Sequence, residues 1–304
     1  MLADVTLQPA PAVAPALQRA VLLTLAYADV FDYPLAAPEV QRYLSFQAAS
    51  LPEVNRALDE LLAARAVVRA GEWFALPGRR RLAATRRRRA AVAARLWRKA
   101  LRYGRLLAAL PFVRMVAVTG SLSMFNTDQG RDIDFMLVSA PGRLWTARAL
   151  ALLVTRLARL EGVSLCPNYI VTTAALEFQE RSLYVAHEVA QMVPLSGAPV
   201  YERIRALNTW TDDFLPNASS APRPPVAGAL PAPAQRLLET ALRRLPVQRF
   251  EAWEMERKVR RLSREQASSP EAYFSADVCK GHADRHGQRT EVALRRRLER
   301  LGSL

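Results

Sequence analysis

Two aspartates separated by one residue are the strongest candidates for chemistry in this sequence. Asp132 and Asp134 lie on either side of Ile133, before the apolar run from Phe135 to Val138. Side chains alternate along a β-strand, so a strand here would place both carboxylates on one face. Adjacent carboxylates repel each other unless a cation lies between them. Mg²⁺ binds through one or two carboxylates together with substrate phosphates. The pair therefore predicts a site for Mg²⁺ or Mn²⁺.

The chain just before the aspartates predicts a strand followed by a phosphate-binding turn. Residues Met115 to Thr119 include β-branched side chains, which favour a buried strand. Gly120 and Ser121 interrupt this run, and glycine permits a tight turn. Such a turn offers backbone N–H groups and a hydroxyl to a phosphate. Ser123 and Arg131 lie in the same segment and are weaker candidates for nucleotide binding.

The segment resembles the nucleotidyltransferase superfamily typified by DNA polymerase β. That superfamily's signature is an apolar residue, Gly, then Gly or Ser, a spacer of about ten residues, and an Asp-apolar-Asp/Glu-apolar strand. Here the spacer between Ser121 and Asp132 is ten residues long, and only Thr119 departs from the signature. The resemblance implies that Asp132 and Asp134 hold the metal ions. It also implies that Gly120 and Ser121 bind the β- and γ-phosphates of an NTP, whose NMP passes to an acceptor hydroxyl.

The third carboxylate of the superfamily is missing from its usual place. The segment from Val163 to Thr172 predicts the third strand, and the residue that corresponds to the acid is Asn168. An asparagine carbonyl can bind a metal ion, but it brings no charge and cannot act as a general base. Glu188, beside His187 in a predicted helix, is a substitute candidate, although it would equally suit the polar face of that helix. Activity is therefore expected to be weakened or lost, and an inactive nucleotide-binding protein is the alternative.

Residues 15–77 predict a winged helix-turn-helix. Helices are expected from Ala16 to Tyr27, from Pro38 to Leu44 and after a cap at Ser50, followed by a hairpin about Ala70 and Gly71. In a DNA-binding protein the third helix of such a module would enter the major groove. A polyanionic groove disfavours a net acidic helix, and this one carries Glu53, Asp59 and Glu60 against Arg56 and Arg65. The pattern favours a supporting or protein-contacting role over a nucleic-acid-binding regulator.

Residues 78–110 predict a long connecting helix with one basic side. The stretch from Arg79 to Arg105 contains twelve Lys and Arg residues and no acidic residue. Charge runs usually form a solvated face, but this one also suits RNA, DNA or an acidic protein. The candidate nucleic-acid patch is the following run: Arg86, Arg87, Arg88 and Arg89.

The sequence predicts an α+β fold with a nucleotidyltransferase core at residues 111–220 and a helical C-terminal region at 234–304. The core is expected to include a helix from Leu144 to Leu160. The last part is expected to form helices from Ala234 to Leu245, Phe250 to Gln266, and Ala276 to Leu301. The motif region, extended through residues 166–168, 186–188 and 215–217, resembles an uncharacterised bacterial nucleotidyltransferase family with an N-terminal winged helix.

Composition limits the remaining classes of function. The 304-residue chain is 51% hydrophobic, and no apolar run approaches the ~20 residues that span a bilayer, so no membrane partner is expected. The N-terminus lacks a basic cluster before an apolar run, and the two cysteines are far apart, which favours the cytoplasm. The formal charge is +15, but only three of 43 basic residues are lysines, as codon bias would produce. The predicted substrate is an NTP, with RNA, protein or a small molecule as acceptor.

Overall fold

The protein has a mixed α+β architecture, as predicted. The computed structural model describes residues 15–130, 132–222, 232–243, 247–265, 273–281 and 286–302. Within these ranges a three-stranded sheet lies in the N-terminal module and a six-stranded sheet lies in the centre. None of the helices in these ranges is both long and apolar enough to cross a membrane.

The N-terminal module contains the helices and the hairpin expected from the sequence. Its elements are α1 (Pro15–Val30), β1 (Leu35–Ala36), α2 (Ala37–Arg42), α3 (Leu51–Ala63), β2 (Val68–Ala70) and β3 (Trp73–Ala75). The Ser50 N–H donates to the Glu53 carboxylate at 2.8 Å, which fixes the start of α3. The helices bury one shared core, in which Val21, Leu44 and Leu58 are fully enclosed. The module is therefore folded around its own apolar centre.

A single long helix, α4 (Leu82–Ala108), connects this module to the central sheet. Its inward face is built from small and apolar residues such as Ala93, Ala100, Tyr103 and Leu107, all buried in the central core. The predicted connecting helix is therefore present. One side of it packs against the sheet, and this leaves the opposite side to solvent.

The central sheet positions the motif. The elements that follow α4 are β4 (Val113–Val118), α5 (Gly120–Ser123), β5 (Ile133–Ser139), α6 (Leu144–Leu160), β6 (Leu165–Thr172), α7 (Leu183–Gln191), β7 (Val193–Ser196), α8 (Ala198–Leu207) and α9 (Thr211–Phe214). The strands lie in the order β7-β4-β5-β6. β4 pairs antiparallel with β5 and β7, whereas α6 returns the chain so that β5 and β6 are parallel. The motif thus joins two neighbouring central strands, β4 and β5.

The C-terminal region is only partly helical, which corrects the prediction. It contains α10 (Ala232–Arg243), α11 (Val247–Glu265), β8 (Tyr273–Phe274), β9 (Val278–Lys280) and α12 (His286–Gly302). The predicted helix from Ala276 is wrong over its first residues, because β9 pairs antiparallel with β6 and brings Cys279 opposite Ile170. An unpaired strand edge leaves its backbone groups without partners, and β9 supplies partners for β6.

Ion pairs hold the C-terminal helix against the N-terminal module. The Asp29 carboxylate, only 8% exposed, accepts from Arg297 Nε and Arg79 Nε, both at 2.7 Å. Arg297 also donates to the Asp29 carbonyl at 3.0 Å. Because Arg297 lies on α12 and Asp29 on α1, the two ends of the described chain are fixed together.

Candidate active site

A cavity of about 810 Å³ lies between the N-terminal module, the motif and α7. Six of the residues proposed from the sequence for catalysis, metal binding or nucleotide binding line it together: Gly120, Ser121, Asp132, Asp134, Asn168 and Glu188. Arg89 of the arginine run lines it as well. The N-terminal module contributes aromatic side chains, including Tyr27, Tyr33 and Tyr43, to the wall. A volume of this size lies in the range of pockets that bind small ligands and cofactors.

The glycine of the motif packs directly against the second aspartate. Gly120 has φ +63°, in the left-handed region, and a Cβ at this position would lie 2.6 Å from Asp134 Oδ2. The Thr119 N–H donates to the Asp134 carbonyl at 3.1 Å, so the ends of β4 and β5 are joined here. The turn requires glycine for its conformation and for the close approach of the carboxylate.

The two aspartates differ in their surroundings. Asp132 is exposed, whereas Asp134 is half-buried and accepts a hydrogen bond from Asn168 Nδ2 at 3.1 Å. The register between β5 and β6 shifts next to Asp134: Asp134 is opposite Cys166, and Met136 is opposite Tyr169. A bulge of this kind re-aims side chains, and here Asn168 reaches Asp134. Asn168, at the position expected for the third carboxylate, therefore contacts the second aspartate of the motif, Asp134.

One face of α7 forms the far wall of the cavity. Tyr184, His187, Glu188 and Gln191 recur at helical spacing and all line it. Burial raises the pKa of Glu188 to about 7, an effect that Lys280 partly offsets. With this pKa, both the protonated and the ionised forms of Glu188 are populated near neutral pH. His187 and Glu188 are candidates from the sequence, and the same helical spacing predicts that Tyr184 and Gln191 share their face.

His187 joins α7 to the N-terminal module. Its ring is 3% exposed and stacks on Tyr27 with 3.9 Å between ring centroids. Its Nδ1 lies 3.1 Å from Gln191 Nε2. Burial lowers the pKa of His187 to about 3, so the ring is neutral at physiological pH. His187 therefore packs α7 against α1 of the N-terminal module, through its contact with Tyr27.

The donor set suits a cation shared with phosphate oxygens. Within the residues that the structure describes, no three His, Cys, Asp or Glu side chains are grouped to hold a metal ion. Glu188 shares the cavity with Asp132 and Asp134 without forming such a group with them. Two carboxylates plus substrate phosphates match the usual coordination of Mg²⁺, so Asp132 and Asp134 are the residues that would hold it.

The cysteine beside the carboxylate pair is kept as a thiol. Cys166 lies opposite Asp134 in the sheet and also lines the cavity. Burial and the charges of Asp134 and Asp132 raise its pKa to about 12. A thiol is a poor nucleophile and a poor metal ligand, so Cys166 adds neither function at neutral pH.

Of the two weaker nucleotide-binding candidates, Ser123 is not among the described residues that line the cavity. The Ser123 hydroxyl is buried and donates to the Gly120 carbonyl at 2.8 Å. This hydrogen bond gives Ser123 a structural role in the turn, and its predicted contact with nucleotide stays a prediction. Arg131 lies outside the described residues.

The run of four arginines does not form one continuous patch. The Arg86 side chain is 12% exposed, pairs with Glu39 at 2.6 Å and lies over the Tyr33 ring at 4.1 Å. The Arg89 side chain is 16% exposed and donates to Asp128 at 3.0 Å. The two arginines are three positions apart, so they share the side of α4 that packs on the N-terminal module and the motif loop. Arg87 and Arg88 are exposed.

Comparison with known proteins gives no family for this chain. No protein-family model matches the sequence, and searches of curated proteins and of solved structures likewise find no match. Function is therefore argued from the cavity and its residues.

The pH dependence of stability is expected to report the partial desolvation of Glu188, which is half-buried in the cavity wall. Relative to Glu188→Gln, the wild-type free energy of unfolding should fall by about 2 kcal/mol from about pH 5 to about pH 8. The folded-state pKa of about 7 lies above the unfolded value, so the folded protein binds the extra proton in this window. That stabilising proton is lost as pH rises through the folded pKa.

Urea unfolding of both proteins across this pH range provides the measurement. His187 acts in the opposite sense, because its depressed pKa makes the fold less stable as pH falls, but it is common to both proteins and cancels. Glu202→Gln, a change at an exposed glutamate on α8, should follow the wild-type curve. Parallel curves for wild type and Glu188→Gln would show that Glu188 is not held in a desolvated environment.

Proposed function

We propose that the protein is a nucleotidyltransferase that moves an NMP from an NTP to an acceptor hydroxyl and releases pyrophosphate. The observation that carries the proposal is the packing of the Gly120 turn against Asp134 in a cavity that also contains Asp132 and Ser121. The order of elements supports a finer interpretation of the fold. In it, residues 15–77 are a winged helix and residues 111–220 are a nucleotidyltransferase core.

In the proposed reaction, each of these cavity residues has a part. Asp132 and Asp134 would hold Mg²⁺, which when bound neutralises charge on the triphosphate. The Gly120–Ser121 turn supplies donors for the β- and γ-phosphates. An acceptor oxygen then bonds to the α-phosphorus as the bond from that phosphorus to the β-phosphate oxygen breaks, and pyrophosphate leaves in line.

Glu188 is the candidate acceptor of the proton released by the attacking hydroxyl. Its pKa of about 7 lies near the operating pH, which is where a general base is most effective. Asn168 cannot take this proton, and its amide is already hydrogen-bonded to Asp134. The role of Glu188 would thus compensate for the missing acid on β6.

The N-terminal module is proposed to close the cavity and not to read DNA. Its α3 exposes Glu53 and Asp59, which would be repelled by DNA phosphates. Its α1, by contrast, lines the cavity and contributes Tyr27. The inner side of α4 contacts this module through two arginines: Arg86 pairs with Glu39, and Arg89 donates to the Phe31 carbonyl.

A nucleotide-binding protein without transfer activity is the second candidate. The observation in its favour is Asn168, which replaces the third acid and neutralises none of the metal's charge. The two candidates share the NTP site and differ only in whether the NMP is transferred.

Label transfer distinguishes the two candidates. The protein would be incubated with each α-labelled NTP and Mg²⁺ in the presence of separate pools of RNA, protein and small hydroxyl compounds. The proposal predicts label in one pool, with matching release of pyrophosphate and complete inhibition by EDTA. NTP binding without label in any pool would support the second candidate, and absence of NTP binding would contradict both.

A further inference from the structure

The outward side of α4 is strongly basic. Eight exposed cationic residues lie along it, and we refer to them together as the α4 basic face: Arg81, Arg87, Arg88, Arg95, Arg98, Lys99, Arg102 and Arg105. The arginines that pack inward, Arg86 and Arg89, are not part of it. Along the 27 residues of α4 there is no acidic residue to neutralise this charge.

The α4 basic face is a straight row of charge. Arg81, Arg88, Arg95 and Arg102 recur every seven residues, which is about two helical turns or about 10 Å along the axis. The whole helix is about 40 Å long at 1.5 Å per residue. A row of this length can follow an extended polyanion over several repeats.

Most of these charges have no counter-ion in the described part of the chain. Arg102 pairs with Glu161 at 2.7 Å, and Arg88 lies 3.5 Å from Asp128. Arg95 and Arg98 are exposed and make no ion pair with any described residue. Their charge is available to an anionic ligand.

The chemistry of the face favours phosphates over a protein partner. Between residues 81 and 105 every exposed position of α4 is Arg, Lys or Ala. Protein interfaces are centred on clusters of apolar and aromatic side chains, whereas among the described residues of α4 this face has one exposed large apolar side chain, Leu106, at its C-terminal end. Trp97 does not supply one, because it is half-buried and packs against Phe125. Contacts would therefore be made to a phosphate backbone, without stacking on bases.

The α4 basic face passes the candidate active site at Arg88. Asp128 lines the cavity and lies next to Arg88 of the face and Arg89 of the cavity wall. A strand that follows the face would pass the rim of the cavity that Asp132 and Asp134 also line. We propose that the α4 basic face binds the phosphate backbone of a nucleic-acid strand, whose terminal hydroxyl is the acceptor of the transferred NMP. The acceptor role rests on the proposed nucleotidyltransferase function, whereas the binding does not.

Binding is tested with a fluorescent 20-nucleotide RNA and its DNA equivalent, measured by anisotropy at several salt concentrations. The variant Arg95→Gln/Arg98→Gln/Arg105→Gln should bind at least about tenfold more weakly, with a salt slope shallower by about 2. The control Arg56→Gln/Arg156→Gln/Arg203→Gln removes the same charge from exposed positions on other helices and should bind nearly as well as wild type. Glutamine keeps the helix propensity, and circular dichroism verifies folding.

Three outcomes would overturn the binding proposal. Equal weakening in both triple variants would mean that only net charge matters. If polyglutamate displaced the labelled strand as effectively as unlabelled RNA does, the face would be a surface for an acidic protein. Unchanged binding in the α4 variant would place the nucleic acid elsewhere.

The acceptor role is tested separately, by incubating labelled RNA or DNA with NTPs and Mg²⁺. Extension by wild type, and its loss in Asp132→Asn/Asp134→Asn with strand binding intact, would support the acceptor role. Strand binding without extension, while another pool accepts label, would overturn the acceptor role but leave the nucleotidyltransferase proposal standing. Strand binding without any NTP binding would instead contradict the nucleotidyltransferase proposal itself.

Discussion

Asp132→Asn and Asp134→Asn are each expected to lower the Mg²⁺-dependent rate of nucleotide transfer by at least about 1,000-fold, or about 4 kcal/mol. Each change replaces one of the two carboxylates proposed to hold Mg²⁺ with a neutral amide. Their effects on folding should differ. Asp132 is exposed, so its replacement should leave the free energy of unfolding unchanged. Asp134 accepts the Asn168 amide, so Asp134→Asn should cost about 1 kcal/mol.

The control for these variants is a third carboxylate in the same cavity. Asp128 lines the cavity but is paired with Arg88 and Arg89. Asp128→Asn should lower the transfer rate far less than either motif variant, measured as pyrophosphate release at saturating NTP. Equal losses in all three variants would show that the cavity needs negative charge in general, and the metal assignment would fail.

Gly120→Ala is expected to lower the transfer rate by about 100-fold, because it displaces a carboxylate that must be accurately placed. The new Cβ would lie 2.6 Å from Asp134 Oδ2, well inside contact distance. The Asp134 carboxylate must then move, and its hydrogen bond with Asn168 must shift with it. The left-handed φ of +63° adds a cost of about 1 kcal/mol to folding.

Gly162→Ala separates the two effects of the Gly120 substitution. Gly162 follows α6 with φ +67°, and a Cβ there would meet no atom within 4 Å. This variant should therefore show a similar loss of stability with a normal transfer rate. Comparable losses of rate in both alanine variants would mean that reduced stability, and not displacement of Asp134, explains the effect at Gly120.

Local patterns in the sequence predicted the elements that carry the site. The Gly-Ser turn between two apolar runs, and the helical spacing from Leu144 to Leu160, are properties of neighbouring residues. They allow a turn, two strands and a helix to be predicted without knowledge of the tertiary contacts. For the same reason Gly120, Ser121, Asp132 and Asp134 could be placed together in advance.

What the sequence could not predict depends on contacts between distant segments. The strand Val278–Lys280 is only three residues long and is stabilised by pairing with β6, so its own composition did not separate it from the helix that follows. The arginine run gave no sign of which members pack inward. Burial of Arg86 and Arg89 depends on Glu39 and Asp128, residues 47 and 39 positions away.

The thermal unfolding midpoint, measured with each NTP in the presence and absence of Mg²⁺, tests the central claim most directly because it needs no acceptor. A ligand at about one hundred times its Kd stabilises the fold by about 2.7 kcal/mol, which should raise the midpoint by about 4 °C for a chain of this length. We expect a Mg²⁺-dependent rise with at least one NTP in wild type, and none in Asp132→Asn/Asp134→Asn. A folded wild-type protein whose midpoint does not respond to any NTP, or whose response persists in the double variant, would contradict the proposed metal–nucleotide site.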